Sequence, residues 1–433
     1  MERRILGAVL SFAHFFIAMS LAAVAGFTAW GVIELFAGTT GMATALSRTE
    51  RWLPFLVMFL LLFAWWMGLF VWALRVQQRI TILAMEGRHA EASERIRRFR
   101  DNETILRLIG VNGSIWRRAH VVEAYAHLLH GLPAEALAIA LPESKGIPTA
   151  LRRTAALVAA SAASEQGDLA VFDELRPWLE RAAKTPRNPY SQQLLAVEGL
   201  ALGTQLKLAE AEKRAEWLLS LDPRSRLALS LRALTRALRG DFACALADNG
   251  AATAAVPEKG SQAQRVFLRQ NLDVARCALL RELGRMDEAL ALVKRIREEG
   301  PRHRLGIIAV PAVEGLAAAL RGDAAGAEAA LAALREASAT TQFDHASRAR
   351  VALSTARIER ARGEPARAVS ALADAIASPN AAVRQEALVE QAQAKAALGD
   401  AAGARASCDW AIQLSGETVH AARAREILAA RAP

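Results

Sequence analysis

From Cys277 to Pro301 the chain reads CALLRELGRMDEALALVKRIREEGP. Gly284 divides two runs rich in the helix formers Leu, Ala, Arg and Glu. The small residue Cys277 stands seven positions before it, Ala289 five after it and Pro301 seventeen after it. A glycine there suits a turn that needs positive φ, and a proline closes the second run because it cannot continue a helix. The pattern recurs. Gly with Ala five residues on is found as EGRHAEA at Gly87, HGLPAEA at Gly131, RGDFACA at Gly240, RGDAAGA at Gly322, RGEPARA at Gly363 and LGDAAGA at Gly399. Gly167 has Phe172 in place of the alanine. A ninth copy, LKLAEA, has Leu206 at the glycine position and Ala211 at the alanine. The spacings are 44, 36, 39, 34, 44, 38, 41 and 36 residues.

Two further positions keep the register. Seven residues before each turn from the second copy on stand Ala124, Ala160, Gly199, Ala233, Cys277, Gly315, Ala356 and Ala392, all small. Pro223, Pro257 and Pro301 fall seventeen after their turns, and Pro379 misses by one. Alternating Val/Ile/Thr runs are absent, so no strand signal competes. On these residues the chain resembles the tetratricopeptide repeat (TPR) family, a helix–turn–helix unit of roughly 34 residues. The resemblance implies an all-α, TPR-like α-solenoid of about nine helix-turn-helix repeats over 78–415, with a capping helix over 416–433. Paired helices with an unburied apolar face stack on their neighbours into a superhelix.

The first 77 residues differ. Ile5–Ile33 and Trp52–Leu74 carry no formal charge, and each exceeds the roughly 20 residues a helix needs to cross a bilayer. Arg3 and Arg4 with Ala23-Val24-Ala25 have the outline of a signal peptide, but the apolar run is longer than such segments carry. Two spans are therefore expected, about 5–33 and 52–74, forming a 1–77 membrane anchor. Arg3 and Arg4 precede the first span. Arg75, Arg79, Arg88, Arg95, Arg97, Arg98 and Arg100 follow the second, against Arg48 and Arg51 in the loop between them. The arginine bias places both ends, and so the solenoid, in the cytoplasm. No Gly, Pro or polar linker separates Leu74 from RVQQRITILAMEG, so the second span is expected to run unbroken into the first repeat.

The chain has 433 residues, a net charge of +10 and only three cysteines, with no CxxC. A disulfide scaffold and a cysteine zinc module are excluded. Of the 54 basic residues 47 are arginine, a habit of the whole text, and no aromatic platform is interleaved with them, so nucleic acid is not expected. No GxxxxGK[ST], GxGxxG, GxSxG or HExxH occurs, and no enzyme or cofactor is expected. Glu123, His127 and His130 share a helical spacing but read as one helix's surface, so no metal is expected either. Cys244, Cys277 and Cys408 are expected to be packing thiols.

Likeness to TPR arrays implies that a ligand is held by the inner face of the first helix of each repeat. The positions so implied include Asn271 and Arg281 in one repeat and Arg350, Arg357 and Arg360 in another. Arg350 and Arg357 lie two turns apart on one face, suited to a carboxylate or an acidic segment. The Lys/Asn set with which some family members clamp a C-terminal carboxylate is not reproduced. Arg95, Arg97, Arg98 and Arg100 form a membrane-proximal basic cluster that suits the lipid bilayer. The function expected is a scaffold in a bacterial inner membrane whose cytoplasmic groove binds a protein partner. Two spans ahead of TPR repeats also resemble the HemY type, which implies an association with haem biosynthesis, although that family carries a longer basic stretch between span and repeats.

Overall fold

The computed structural model describes residues 53–86, 88–101, 114–146, 149–258, 261–301, 304–340 and 345–430. The first expected span, 5–33, and the loop 34–51 lie outside the described residues, as does Gly87. Every regular element among the described residues is a helix.

The helices pair around the turns expected from sequence. The first pair is α1 (Leu53–Met85) with α2 (His89–Asp101), then α3 (Ser114–His130) with α4 (Pro133–Ser144). In the third, α5 (Ala150–Gln166) faces a second helix in two pieces, α6 (Ala170–Glu174) and α7 (Arg176–Lys184). Next come α8 (Pro189–Thr204) with α9 (Leu208–Leu221), α10 (Arg226–Arg239) with α11 (Phe242–Ala254), and α12 (Gln262–Glu282) with α13 (Met286–Glu299). The seventh pair is α14 (Arg304–Leu320) with α15 (Ala324–Thr340). In the eighth, α16 (His345–Ala361) faces α17 (Pro365–Ala371) and α18 (Ala373–Ile376). The ninth is α19 (Ala381–Ala397) with α20 (Ala401–Leu414), and α21 (Val419–Ala429) closes the array.

Local chemistry explains the glycine turns among the described residues. Gly131, Gly167, Gly240, Gly284, Gly322, Gly363 and Gly399 all have φ between 72° and 92°. At Gly240 its own N–H donates to the Ala237 carbonyl and the Asp241 N–H to that of Arg236, a glycine C-cap that satisfies the last carbonyls of α10. The aspartate of the Gly-Asp pair then starts the next helix, because Asp241, Asp323 and Asp400 accept from the backbone N–H of Cys244, Gly326 and Gly403. One dipeptide thus ends one helix and begins its partner. The alanines five residues beyond the turns, from Ala92 to Ala404, are buried, as are the small residues seven before them. The split of α6 from α7 is local: Pro177 has no N–H to continue the ladder, and bulky Phe172 fills the alanine position.

α1 is one helix of 33 residues, so the expected run from Leu74 into the first repeat is unbroken. Its last turns are fully packed: Ile80, Leu83 and Ala84 sit among Ala126 and Leu129 of α3 and Phe267 of α12. Among the described residues no helix registers as long and apolar enough to cross a membrane. Leu53–Leu74 of α1 carries no formal charge.

The superhelix is tight. The first helix of one repeat touches that of the repeat five further on: α12 meets α1, α16 meets α5, α19 meets α8 and α21 meets α10. About five repeats therefore complete a turn. The rims meet as well, with Gln205 donating to the carbonyls of both Gly167 and Pro379 and buried Arg304 lying against the Gly131 turn.

Candidate functional site

Because the first helices face one another across this narrow axis, their inward side chains meet residues from other repeats. Three of the four groove arginines expected from sequence, Arg281, Arg357 and Arg360, come together, and they do so on carboxylates of their own chain. Arg357 on α16 is bound to Glu386 and, at 3.0 Å, to Glu390 of α19. Arg360, one turn on, holds the other oxygen of Glu390 at 2.9 Å. Arg281, at the end of α12, lies 3.6 Å from Glu386 and 2.8 Å from Glu282. Glu282 in turn accepts from Arg423 of α21 at 2.6 Å. The result is an alternating chain, Arg360–Glu390–Arg357–Glu386–Arg281–Glu282–Arg423, drawn from three repeats and the closing helix.

This network is nearly dry at its centre: the Arg357 side chain is 11% exposed and Glu390 13%. Burial works to lower the Arg357 pKa, but the charges of Glu386 and Glu390 outweigh it and hold the guanidinium firmly protonated. Burial likewise works to raise Glu386, and the charges of Arg357 and Arg281 overcome it, holding the carboxyl well below its usual range. Glu390 and Glu282 are lowered in the same way, against burial, by Arg357 and Arg281 respectively. Arg281 differs in sign. Burial lowers it and the neighbouring Arg357 adds to that, more than Glu386 and Glu282 restore. His420 sits beside Glu386, Arg357, Arg423 and Glu282, and burial pushes its imidazole below the ordinary value.

Sequence reading anticipated a carboxylate for Arg357, and the structure supplies two from within. An outside carboxylate would have to displace Glu386 or Glu390, leaving a buried charge unpaired. Arg350 is exposed near the start of α16, two turns from Arg357. Arg360 also reaches solvent, at 38%. Asn271 is half-buried on α12, and its Oδ1 is buried without a hydrogen-bond partner. Glu282, Glu386, Glu390 and His420 were missed from sequence. Glu386 stands thirteen residues before Gly399, the inward position that Arg350 holds before Gly363, and this reversal of sign was the available signal.

One further expectation changes. Cys277 and Cys408 are buried, but Cys244 is exposed, since on α11 the residue before the packed Ala245 points outward. Glu123 and His127 approach only to 4.0 Å, and His120 pairs with Glu143 at 3.0 Å. Among the described residues no three groups converge as a metal site would need. On α2, Arg97 and Arg98 both pair with Glu94, at 2.7 and 2.9 Å, while Arg95 is exposed beside them. Arg100 lies on the same helix, its side chain outside the description.

Among solved structures, the APC/C hetero-tetramer Cut9–Hcn1 aligns with a TM-score of 0.51 at 13% identity, over 80% of this chain and 62% of that one. The fold is a TPR-type solenoid. At that identity the likeness reaches the fold alone, and this chain spans less than two thirds of the Cut9–Hcn1 chain it matches. A tetratricopeptide repeat protein from Parabacteroides merdae (TM-score 0.37, 17% identity, 72% of this chain and 98% of that one) and yeast Tom70 (0.28, 12%, 83% and 95%) align more loosely. No family model matches the chain, and no curated protein does.

Proposed function

We propose that this TPR-type chain is a scaffold anchored in a bacterial inner membrane by two N-terminal spans, which holds a protein partner on a solenoid in the cytoplasm. The observation that carries the reading is the unbroken helix α1. Its charge-free part, Leu53–Leu74, is 22 residues, about 33 Å at roughly 1.5 Å per residue, which matches a bilayer core of about 30 Å. Its other end is buried inside the first repeats. A single rigid rod that is both membrane-length and part of the solenoid's core fixes the solenoid's tilt, as a recruiting platform requires and a flexible tether would not supply.

The solvent-reaching inward arginines, Arg350 and Arg360, are the proposed partner contacts, with Arg281 and Arg357 holding the frame behind them. The test is co-purification of the full-length protein from native membranes in mild detergent. A stoichiometric partner that is lost with Arg350→Glu, while the variant keeps the wild-type unfolding temperature, supports the reading. A partner that stays bound to Arg350→Glu overturns the assigned face, and recovery without any stoichiometric protein overturns the scaffold.

A further inference from the structure

Helix α2 returns along α1. It begins four residues after α1 ends, and near its far end the Phe99 ring stacks on Trp72 of α1, with centroids 5.8 Å apart and planes 26° from parallel. Trp72 lies two residues inside the end of the charge-free run and three before Arg75. The hairpin therefore carries Arg95, Arg97 and Arg98 back to the level at which the hydrocarbon of a bilayer would stop.

Between the two helices lies an open cleft of about 590 Å³, lined by Trp72 and Val76 on one wall and by Glu94, Arg95, Arg98 and Phe99 on the other. Its lining carries two carboxylates and two guanidiniums, but both carboxylates are also held by arginines outside it. Glu91, also on the lining, is held by Arg88 at 2.5 Å, and Glu94 is shared by Arg97 and Arg98. Arg95 makes no ion pair among the described residues, so the basic side is in excess. One wall is thus aromatic and apolar, with Trp72 itself 42% exposed, and the other presents Arg95 and Arg98 beside Glu94 and Phe99.

We propose that this cleft seats one anionic phospholipid, its phosphate against Arg95 and Arg98 and the upper part of its acyl chain along Trp72, Val76 and Phe99. The proposal rests on α1 crossing the bilayer. Topology alone calls for arginines on the cytoplasmic side, but it does not call for an aromatic wall facing them at the same level across two helices. Inorganic phosphate would use only the guanidinium side. A phospholipid uses both, and the bilayer delivers it at this height.

The experiment uses full-length protein, extracted in mild detergent and reconstituted into nanodiscs of phosphatidylcholine with a minority of phosphatidylglycerol. Retained lipid is counted by native mass spectrometry after re-extraction. Wild type is expected to keep one phosphatidylglycerol in preference to phosphatidylcholine. Arg95→Gln with Arg98→Gln lowers that preference by roughly tenfold or more. Arg75→Gln with Arg79→Gln, which removes the same charge from residues that neither line the cleft nor pair with its carboxylates, leaves it intact. No preference in wild type, or equal loss in both double variants, overturns the cleft. So does displacement of the retained lipid by excess inorganic phosphate, which would make the occupant a free anion. The anchor is read separately: release of the protein from native membranes by an alkaline carbonate wash would refute the span. Retention in the membrane without lipid preference would refute the cleft alone.

Discussion

Leu206 has φ of 61°, and it is the one non-glycine residue with positive φ among the described residues. It occupies the place where the other described repeats carry glycine, and it makes the same cap, its N–H donating to the Gly203 carbonyl and that of Lys207 to Leu202. The left-handed conformation costs a leucine roughly 1–2 kcal/mol. The side chain offsets this by burial against Leu208 and Leu238, worth about 2 kcal/mol or more. Leu206→Gly should therefore destabilise the solenoid by about 1 kcal/mol in denaturant titration, and a gain in stability would show that strain outweighs packing. Glycine has a different role elsewhere. At Gly322 an added Cβ meets nothing within 4 Å, so Gly322→Ala should cost only the backbone strain, about 1 kcal/mol. At helical Gly315 the added Cβ would lie 2.6 Å from the Ala330 Cβ and 2.7 Å from the Ile358 Cδ1. Gly315→Ala should cost about 1–3 kcal/mol by overpacking, despite alanine's better helix propensity. A neutral result there, by the same titration, would mean the helices can part without penalty.

At the scale of the element, the repeat was legible because its signals are local. A turn glycine, its following aspartate and two small contact residues answer to the geometry of one helix pair, so they recur at every pair and can be counted in the text. The axial ion chain was not legible in the same way. Arg281 and Glu386 are brought together by the accumulated rotation of several repeats, and no single repeat's sequence states that rotation. Facing within one element also decides Cys244, where a shift of one residue from packed Ala245 turns a thiol outward. The three thiols should consequently separate in labelling. Cys244 should react with a maleimide in the folded, detergent-extracted protein, while Cys408 and Cys277, whose thiol burial pushes up to about 12, should react only after unfolding. In intact cells the proposed orientation requires that a membrane-impermeant reagent miss Cys244 until permeabilisation. Labelling before that step would turn the solenoid to the other side.

Across the whole molecule, contact between successive superhelical turns makes the interior polar network part of what holds the array closed. Arg423 of α21 pairs with Glu282 of α12, so the last helix is tied back to the sixth repeat. Removing Arg357 as Arg357→Gln would leave Glu386 and Glu390 short of a partner in a nearly dry site and should cost about 3 kcal/mol or more. That is why this residue is a poor probe of partner binding. The same network should make stability depend on pH. His420 is held below its ordinary value, so the unfolded chain takes up a proton on it where the folded chain does not, and stability should fall as pH drops through about 6.5. Glu386, Glu390 and Glu282 are also held below their ordinary values. Their contribution is present above about pH 4.5 and is lost below it, again because the unfolded chain binds the protons more readily. Both act in the same direction. The unfolding temperature of the detergent-extracted protein should decline in two stages on acidification, and His420→Gln should abolish the upper stage while leaving the lower one. A wild-type midpoint that stays level to about pH 5, indistinguishable from that of His420→Gln, would mean that the imidazole accepts its proton inside the folded axis, and that Glu386 and Glu282 together outweigh its burial.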